Sequence, residues 1–289
     1  MITEPGFHAA TAAAYHADPC PAPSLSATIA RRLLKQSPLH AWHHHPRLNP
    51  VGTDDDTNDA ATAGTILHAL LLGKGSDLAV IDAPDFRTAA ARQAKQAAFA
   101  AGKTPVLAGK LDQLHACAVA ARRQIEQHPD GALLFEPGVS EQAMVWQEAP
   151  GIWCRALVDR TPADSNLPLL DLKTTGLSAA PADWERRILT EYYLQAAFYE
   201  RGARILGRPN KHPMLFVVVE QAAPFGVSVM ACDPSLRALA EAEIDRAIRI
   251  WTDCLRQNRW PGYPPHTAYV AAKPWQLDAL EITQMEIEA

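Results

Sequence analysis

The chain has 289 residues, 48% of them hydrophobic and 20% charged, which is enough apolar material for one sizeable folded domain. A formal net charge of −5 argues against a protein that coats nucleic acid over its whole surface, so any such contact has to be a local groove whose positive lining is offset by acid elsewhere. The five cysteines, Cys20, Cys117, Cys154, Cys232 and Cys254, are odd in number and scattered without a C-x-x-C, which argues against a disulfide framework, a structural zinc site and an iron–sulfur cluster.

Residues 1–23 are rich in Ala, Pro and His and read as an extended arm or loop, without the basic start and long apolar core of a signal peptide. No apolar run reaches the roughly 18 residues of a membrane span, so the expectation is a cytoplasmic protein with no membrane partner. Ser26 reads as an N-cap, with Ile29, Leu33 and Leu34 at helical spacing and Pro38 ending the run. Trp42 and the triplet His43-His44-His45 follow, the triplet reading as a surface feature. Residues 46–60, with Pro, Gly and several Asp, read as a loop. A second helix runs from about Ala63 to Leu72 and stops at Gly73. Two Ala-rich helices follow at 88–101 and 108–128, separated by Gly102-Lys103-Thr104-Pro105.

The pattern changes near Glu136-Pro137-Gly138. Residues 141–148 and 152–160 read as a hairpin joined at Ala149-Pro150-Gly151, and 168–174 as a third strand. Helices are expected at 182–189 and 193–206. Residues 214–220 form an apolar run typical of a strand buried on both faces, with 226–231 as its antiparallel neighbour. A long helix spans 235–257, and Trp260–Pro265 is a turn-rich closure. The fold class expected is α/β: a central mixed β-sheet flanked by helices, with a helical N-terminal part. The division expected is an arm at 1–23, a single domain over 24–275 (mainly helical to 135, sheet core from 136) and a tail at 276–289.

Asp171-Leu172-Lys173 sits near the end of a short apolar strand. Residues i and i+2 of a strand share a face, so Asp171 and Lys173 point the same way with Leu172 packed behind. A carboxylate holds a hard cation, and a neighbouring lysine orients water or stabilises charge on a phosphate. Alone, the same pair also reads as an exposed ion pair. Asp159 ends the preceding strand, and a short connection would bring it beside Asp171. Two converging carboxylates repel unless a cation sits between them, which is the design of a Mg²⁺ site for phosphodiester cleavage. Asp159 also reads as a turn former. His68 stands on a helix one turn after Gly64, where another chain segment could approach closely; it reads as a ligand or as a structural histidine. Gln195 and Tyr199 share a helix face at i, i+4 that could look back over the carboxylates. Glu141 is a further carboxylate candidate or a solvated strand end. Arg186 and Arg187, between the D-x-K strand and the Gln195 helix, are the favoured DNA contacts. Further basic clusters at Arg31-Arg32-Lys35 and Arg201-Arg204-Arg208-Lys211 could track phosphates or be solvated helix faces. Trp146, Trp153 and Trp184 read as core or rim.

Taken in order, G-T-I-L-H (64–68), R-A-L-V-D (155–159), D-L-K-T-T (171–175) and Q-A-A-F-Y (195–199), with the opening 25–38 and the tail 258–263, resemble the PD-(D/E)xK nuclease superfamily in its RecB-like branch. They look most like the RecE-type, exodeoxyribonuclease VIII-like exonucleases of phages and prophages, over about residues 15–275. The resemblance implies a restriction-endonuclease-like core. It implies metal ligation by Asp159, Asp171, His68, the Leu172 carbonyl and Glu141, with Lys173 as catalytic lysine and Gln195 and Tyr199 as an auxiliary motif. It further implies Mg²⁺ (or Mn²⁺ in its place) without an iron–sulfur cluster, and 5′-to-3′ degradation of linear double-stranded DNA to leave 3′ overhangs. The partners it implies are DNA ends, a RecT-like single-strand annealing protein and other copies of the chain in a ring. An endonuclease on the same fold, or a non-catalytic DNA-binding or assembly protein, are the alternative readings.

Overall fold

Residues 1–51, 59–74, 77–148, 151–209 and 211–278 are described by the computed structural model. In chain order they form β1 (Gly6–Ala9), α1 (Ala12–His16), α2 (Ala27–Lys35), α3 (Pro38–His43), α4 (Asp59–Leu72), β2 (Leu78–Ile81), α5 (Ala89–Ala100), β3 (Thr104–Leu107), α6 (Ala108–Gln127), β4 (Gly138–Glu148), β5 (Ile152–Pro162), β6 (Leu170–Thr175), α7 (Pro181–Arg187), α8 (Tyr193–Ile205), β7 (Leu215–Glu220), β8 (Val227–Ala231) and α9 (Pro234–Gln257). A π-helical turn, Ile188–Tyr192, joins α7 to α8.

Six strands form one mixed sheet in the order β1-β4-β5-β6-β7-β8, antiparallel throughout except for the parallel pair β6–β7. A parallel pair needs a crossover, and α7, the π turn and α8 supply it. The apolar run of β7 is buried on both faces, as its continuous hydrophobicity requires. On one face, α2, α8 and α9 cover Trp146, Phe198, Phe216 and Trp251. On the other, α4 and α6 cover Leu172, Val217 and Val219 with Ile66, Leu67, Leu114 and Ile125. The fold is the expected α/β architecture, with helices on both faces of a central mixed sheet.

Four elements differ from the sequence reading. The N-terminal segment is not only an arm: Gly6–Ala9 adds an edge strand to β4. Pro38 does end α2, but it also opens α3 at its first position, where a proline lacks no needed N–H, with Ser37 as N-cap. Leu78–Ile81 and Thr104–Leu107 pair as a small parallel sheet on either side of α5, although Thr104 and Pro105 were read as part of a break. The crossover helix is continued by the π turn rather than interrupted near residue 190. Of the loop read over 46–60, residues 52–58 lie outside the described residues and 59–60 already belong to α4; residues 149–150 of the hairpin turn and 279–289 of the tail also lie outside the described residues.

Candidate active site

Strands β5 and β6 are bonded at Arg160 and Leu170, the only register pair between them among the described residues. Beyond it the ladder gives way to a side chain: the Leu172 amide donates to Asp159 Oδ2 at 2.8 Å. A buried N–H needs an acceptor, and here a carboxylate takes the place of the neighbouring strand. This parting of the strands lets Asp159 and the D-x-K segment meet at one end of the sheet.

Leu172 is packed in the core under α4 and α6, so Asp171 and Lys173 face the other way, toward α8. Lys173 Nζ lies 2.5 Å from Asp171 Oδ2 and 4.8 Å from the centre of the Tyr192 ring. Gln195 Nε2 donates to Asp171 Oδ1 at 2.5 Å. The close approach of α8 rests on Gly202, where a β-carbon would come within 2.7 Å of the Trp146 ring on β4. Tyr199, one turn beyond Gln195, is buried and borders a small pocket that also touches Lys173, Tyr15, Arg31 and Gln195.

From the opposite face, α4 brings His68 to the carboxylates. Its Nε2 is 2.8 Å from Asp159 Oδ2 and its Nδ1 is 3.7 Å from Glu141 Oε1. Gly64 sits one turn earlier against β6; a β-carbon there would lie 2.8 Å from Thr174 Oγ1. Glu141 lies opposite Asp159 on β4 at φ +49°, in the left-handed region, at a point where the β4–β5 pairing skips between Ser140–Arg160 and Gln142–Val158.

The electrostatics push the two aspartates apart. Burial raises the Asp171 carboxyl, and the Asp159 charge raises it further, to about 6, against the partial offset of Lys173 and His68. Burial would raise Asp159 too, but His68, then Lys173 and the Leu172 amide, hold it below the usual carboxylate range. Burial would lower Lys173, yet Asp171 and Asp159 keep it raised, so it stands as a protonated donor in this charge state. His68 is raised in the same way, burial being outweighed by Asp159, Asp171 and Glu141.

The donor set, carboxylate oxygens with one imidazole, is that of a hard divalent cation. Asp171 Oδ2 is buried with the Lys173 ammonium 2.5 Å away, and a carboxylate oxygen so engaged keeps a second lone pair for such an ion. Among the described residues, no three His, Cys, Asp or Glu groups are already gathered as a cage. His68 and Lys173 face the acids instead, His68 Nε2 on Asp159 Oδ2 and Lys173 Nζ on Asp171 Oδ2.

Beside these residues lies a cleft of about 810 Å³ walled by α1, α4, the end of β6 and Arg187. His68, Glu141, Leu172 and Lys173 all border it. Arg187 therefore faces the site, whereas Arg186, on the same helix end, is exposed and is not part of the cleft wall. The two basic clusters resolve into ion pairs and hydrogen bonds, and the surface reading of the histidine triplet needs correction. Arg201 and Arg204 are tied up with Glu148, Glu241 and Asp245, and Arg208 is buried against the carbonyls of Asp164 and Leu167, while Lys211 stays exposed. Arg31 pairs with Glu191 and Lys35 with Glu243. His45 is fully buried, with Nε2 at 3.1 Å from the Ser24 carbonyl and 3.3 Å from Asp18 Oδ2, because α3 turns the last histidine of the triplet inward.

A strand bearing D-x-K, an aspartate on the neighbouring strand and a histidine from a covering helix together define a nuclease of the PD-(D/E)xK class. The chain belongs to the family described as PDDEXK-like domain of unknown function (DUF3799), whose profile matches residues 35–273. Comparison with curated proteins finds no match. Among solved structures, the chain is similar to a protein from Eubacterium rectale that is described provisionally as an exonuclease, with 13% identity over 89% of this chain and 93% of that one and a TM-score of 0.47, too distant to carry an argument. No helix among the described residues is long and apolar enough to cross a membrane.

Proposed function

We propose that this protein is a Mg²⁺-dependent exodeoxyribonuclease that degrades linear double-stranded DNA from its ends, 5′ to 3′, leaving 3′ overhangs for single-strand annealing. The observation that carries the hydrolytic part is the meeting of Asp159, Asp171 and Lys173 directly behind an open cleft whose wall Lys173, His68 and Glu141 form. The preference for ends, the polarity, the annealing partner and a ring of several copies rest on the resemblance of the four motifs to RecE-type exonucleases.

Asp159 and Asp171 would hold the ion, with His68, Glu141 and the Leu172 carbonyl completing its surroundings. A bound Mg²⁺ supplies Lewis-acid stabilisation of the phosphodiester and a more acidic water. Lys173, as a protonated donor, orients the attacked phosphate and steadies its developing charge. Gln195 fixes the Asp171 carboxylate, and so the direction of its free lone pair. Arg187, on the cleft wall, meets the backbone there, and the exposed Arg186 beside it in sequence adds positive charge nearby. Attack of water on phosphorus and rupture of the bond to the 3′ oxygen release a nucleotide carrying a 5′-phosphate.

The test incubates the protein with linear and circular duplex DNA, in Mg²⁺ or EDTA, beside Asp171→Ala and Lys173→Ala. The expected result is Mg²⁺-dependent loss of the linear DNA alone, abolished in both variants, with a 5′ label released before a 3′ label. Cutting of the circle would make the protein an endonuclease. No cleavage in any divalent ion would leave a DNA-binding or assembly role.

A further inference from the structure

Ser140 is a buried polar residue on β4 that the nuclease motifs do not include. Its Oγ donates to the Leu72 carbonyl at the end of α4, at 3.0 Å, and accepts from Arg160 Nη1 on β5, at 2.9 Å. Its own carbonyl accepts from Lys74 Nζ at 3.0 Å, and the same ammonium reaches the Glu141 carbonyl at 3.4 Å. Each partner stands next to a site residue. Leu72 is one helical turn after His68, Arg160 follows Asp159, and Ser140 itself precedes Glu141.

We infer that Ser140, assisted by Lys74, is the positioning residue of the acidic half of the site: one hydroxyl ties together the three elements that carry His68, Glu141 and Asp159. Two features make such a tie necessary. The β4–β5 ladder pairs on either side of Glu141 and Asp159 but skips these two, so no backbone pair of their own fixes them. Glu141 is left-handed, a conformation that persists only where its surroundings impose it. The carbonyls on either side of that bend are the ones Lys74 engages. The α4 carbonyl that Ser140 takes up is among those a helix end leaves without an internal partner. Loss of the hydroxyl leaves this carbonyl and the half-buried Arg160 guanidinium short of a partner, and frees α4 to slide relative to β4.

This inference rests on the metal-nuclease reading for its consequence, but not for its mechanics, and the experiment separates the two. Ser140→Ala, Ser140→Thr and Lys74→Met are compared with the unaltered protein. Mn²⁺ binding is measured by calorimetry without DNA, and amide hydrogen exchange is measured without metal. The expected result for Ser140→Ala is about a tenfold weaker Mn²⁺ affinity, the scale found when groups that orient metal ligands are removed. Faster exchange should appear at once at the end of α4 and around Glu141, while α8 and α9 stay unchanged. Ser140→Thr keeps the hydroxyl and should restore both, and Lys74→Met should loosen the Glu141 bend alone. Unchanged exchange in Ser140→Ala would overturn the tie, as would loosening spread over the whole sheet. Unchanged Mn²⁺ affinity with local loosening would overturn the positioning role. An unaltered protein that binds no divalent cation would overturn the metal-site reading, and the exchange measurement would then decide the mechanical link by itself.

Discussion

Glu141 concentrates the conflict between stability and function in one residue. A left-handed conformation costs a residue with a β-carbon about 1–2 kcal/mol, less for asparagine, which visits that region readily. The side chain held there faces His68. Glu141→Asn should therefore raise the unfolding free energy, read from urea titration, by about 0.5–1 kcal/mol. The same variant should lose about tenfold or more of its Mg²⁺-dependent nuclease rate. A variant that gains stability and keeps full rate would remove Glu141 from the site; one that loses stability would refute the strain. At this scale the candidate site was legible where chemistry announces itself. Asp159, Asp171, Lys173, His68 and Gln195 have motif spacing, and the structure brings all five together. Ser140 and Lys74 have none, because a serine hydroxyl or lysine ammonium that matters through a carbonyl some 66 to 68 residues away leaves no local pattern. Arg155, read within the R-A-L-V-D motif, turned out to serve the core, with its guanidinium on Ser24 and Asp18 rather than at the cleft.

Between elements, the spacing of α4 and β6 sets where His68 stands relative to Lys173. Gly64 fixes that spacing, since Thr174 Oγ1 would touch any β-carbon there and is itself held by Gln221 Nε2 at 3.1 Å. Gly64→Ala should lower kcat/KM by roughly 100-fold, the penalty of an ångström-scale misplacement. Its effect on stability should be small, because alanine gains about 1 kcal/mol over glycine within a helix and so offsets the strain. Adding Thr174→Ala removes the obstructing oxygen and should recover most of the rate. A fully active Gly64→Ala, or a double variant no better than the single one, would show that the contact does not set the geometry. The long elements around this contact could be read from periodicity: α4, α6, α9 and the β4–β5 hairpin bury whole faces. Four-residue strands could not. Leu78–Ile81 has too few residues to show alternation, and Thr104–Leu107 contains a proline that marks a break until a parallel neighbour is present. The edge strand Gly6–Ala9 is made by its partner β4, not by its own propensity.

Over the whole molecule, a buried ionic knot joins the N-terminal segment to the sheet. Asp18 accepts hydrogen bonds from the Ser24 hydroxyl and amide, lies 3.3 Å from His45 Nε2 and 3.3 Å from Arg155 Nη1, and has no exposed side-chain surface. Arg155 is on β5, four residues before Asp159, so the knot ties the wall of the cleft to the strand that carries a site carboxylate. Burial alone would raise the Asp18 carboxyl. His45, Arg155 and Ser24 outweigh it and hold it down to about 2, against an ordinary value of 3.8. A carboxyl with a depressed pKa contributes stability that is fully present above its unfolded value and is lost as pH falls through the folded one. The window therefore runs from about pH 5 to pH 1: the whole contribution is about 2.5 kcal/mol at 1.36 kcal/mol for each pKa unit, and about 1.8 kcal/mol of it should be lost between pH 4 and pH 2. Asp18→Asn leaves Arg155 buried without its counter-ion and should cost about 3–5 kcal/mol at pH 7. Urea titrations of both proteins at pH 7, 4, 3 and 2 test this. Other carboxylates titrate in both proteins, so the difference between them is what Asp18 contributes. That difference should be nearly constant from pH 7 to about pH 5 and shrink by about 1.8 kcal/mol between pH 4 and pH 2, the share that belongs to Asp18 alone. A difference that stays constant down to pH 2 would mean that Asp18 is not held ionised by the knot. A variant as stable as the unaltered protein at pH 7 would mean that the N-terminal segment is secured by the packing of Tyr15, Cys20 and Leu25 alone.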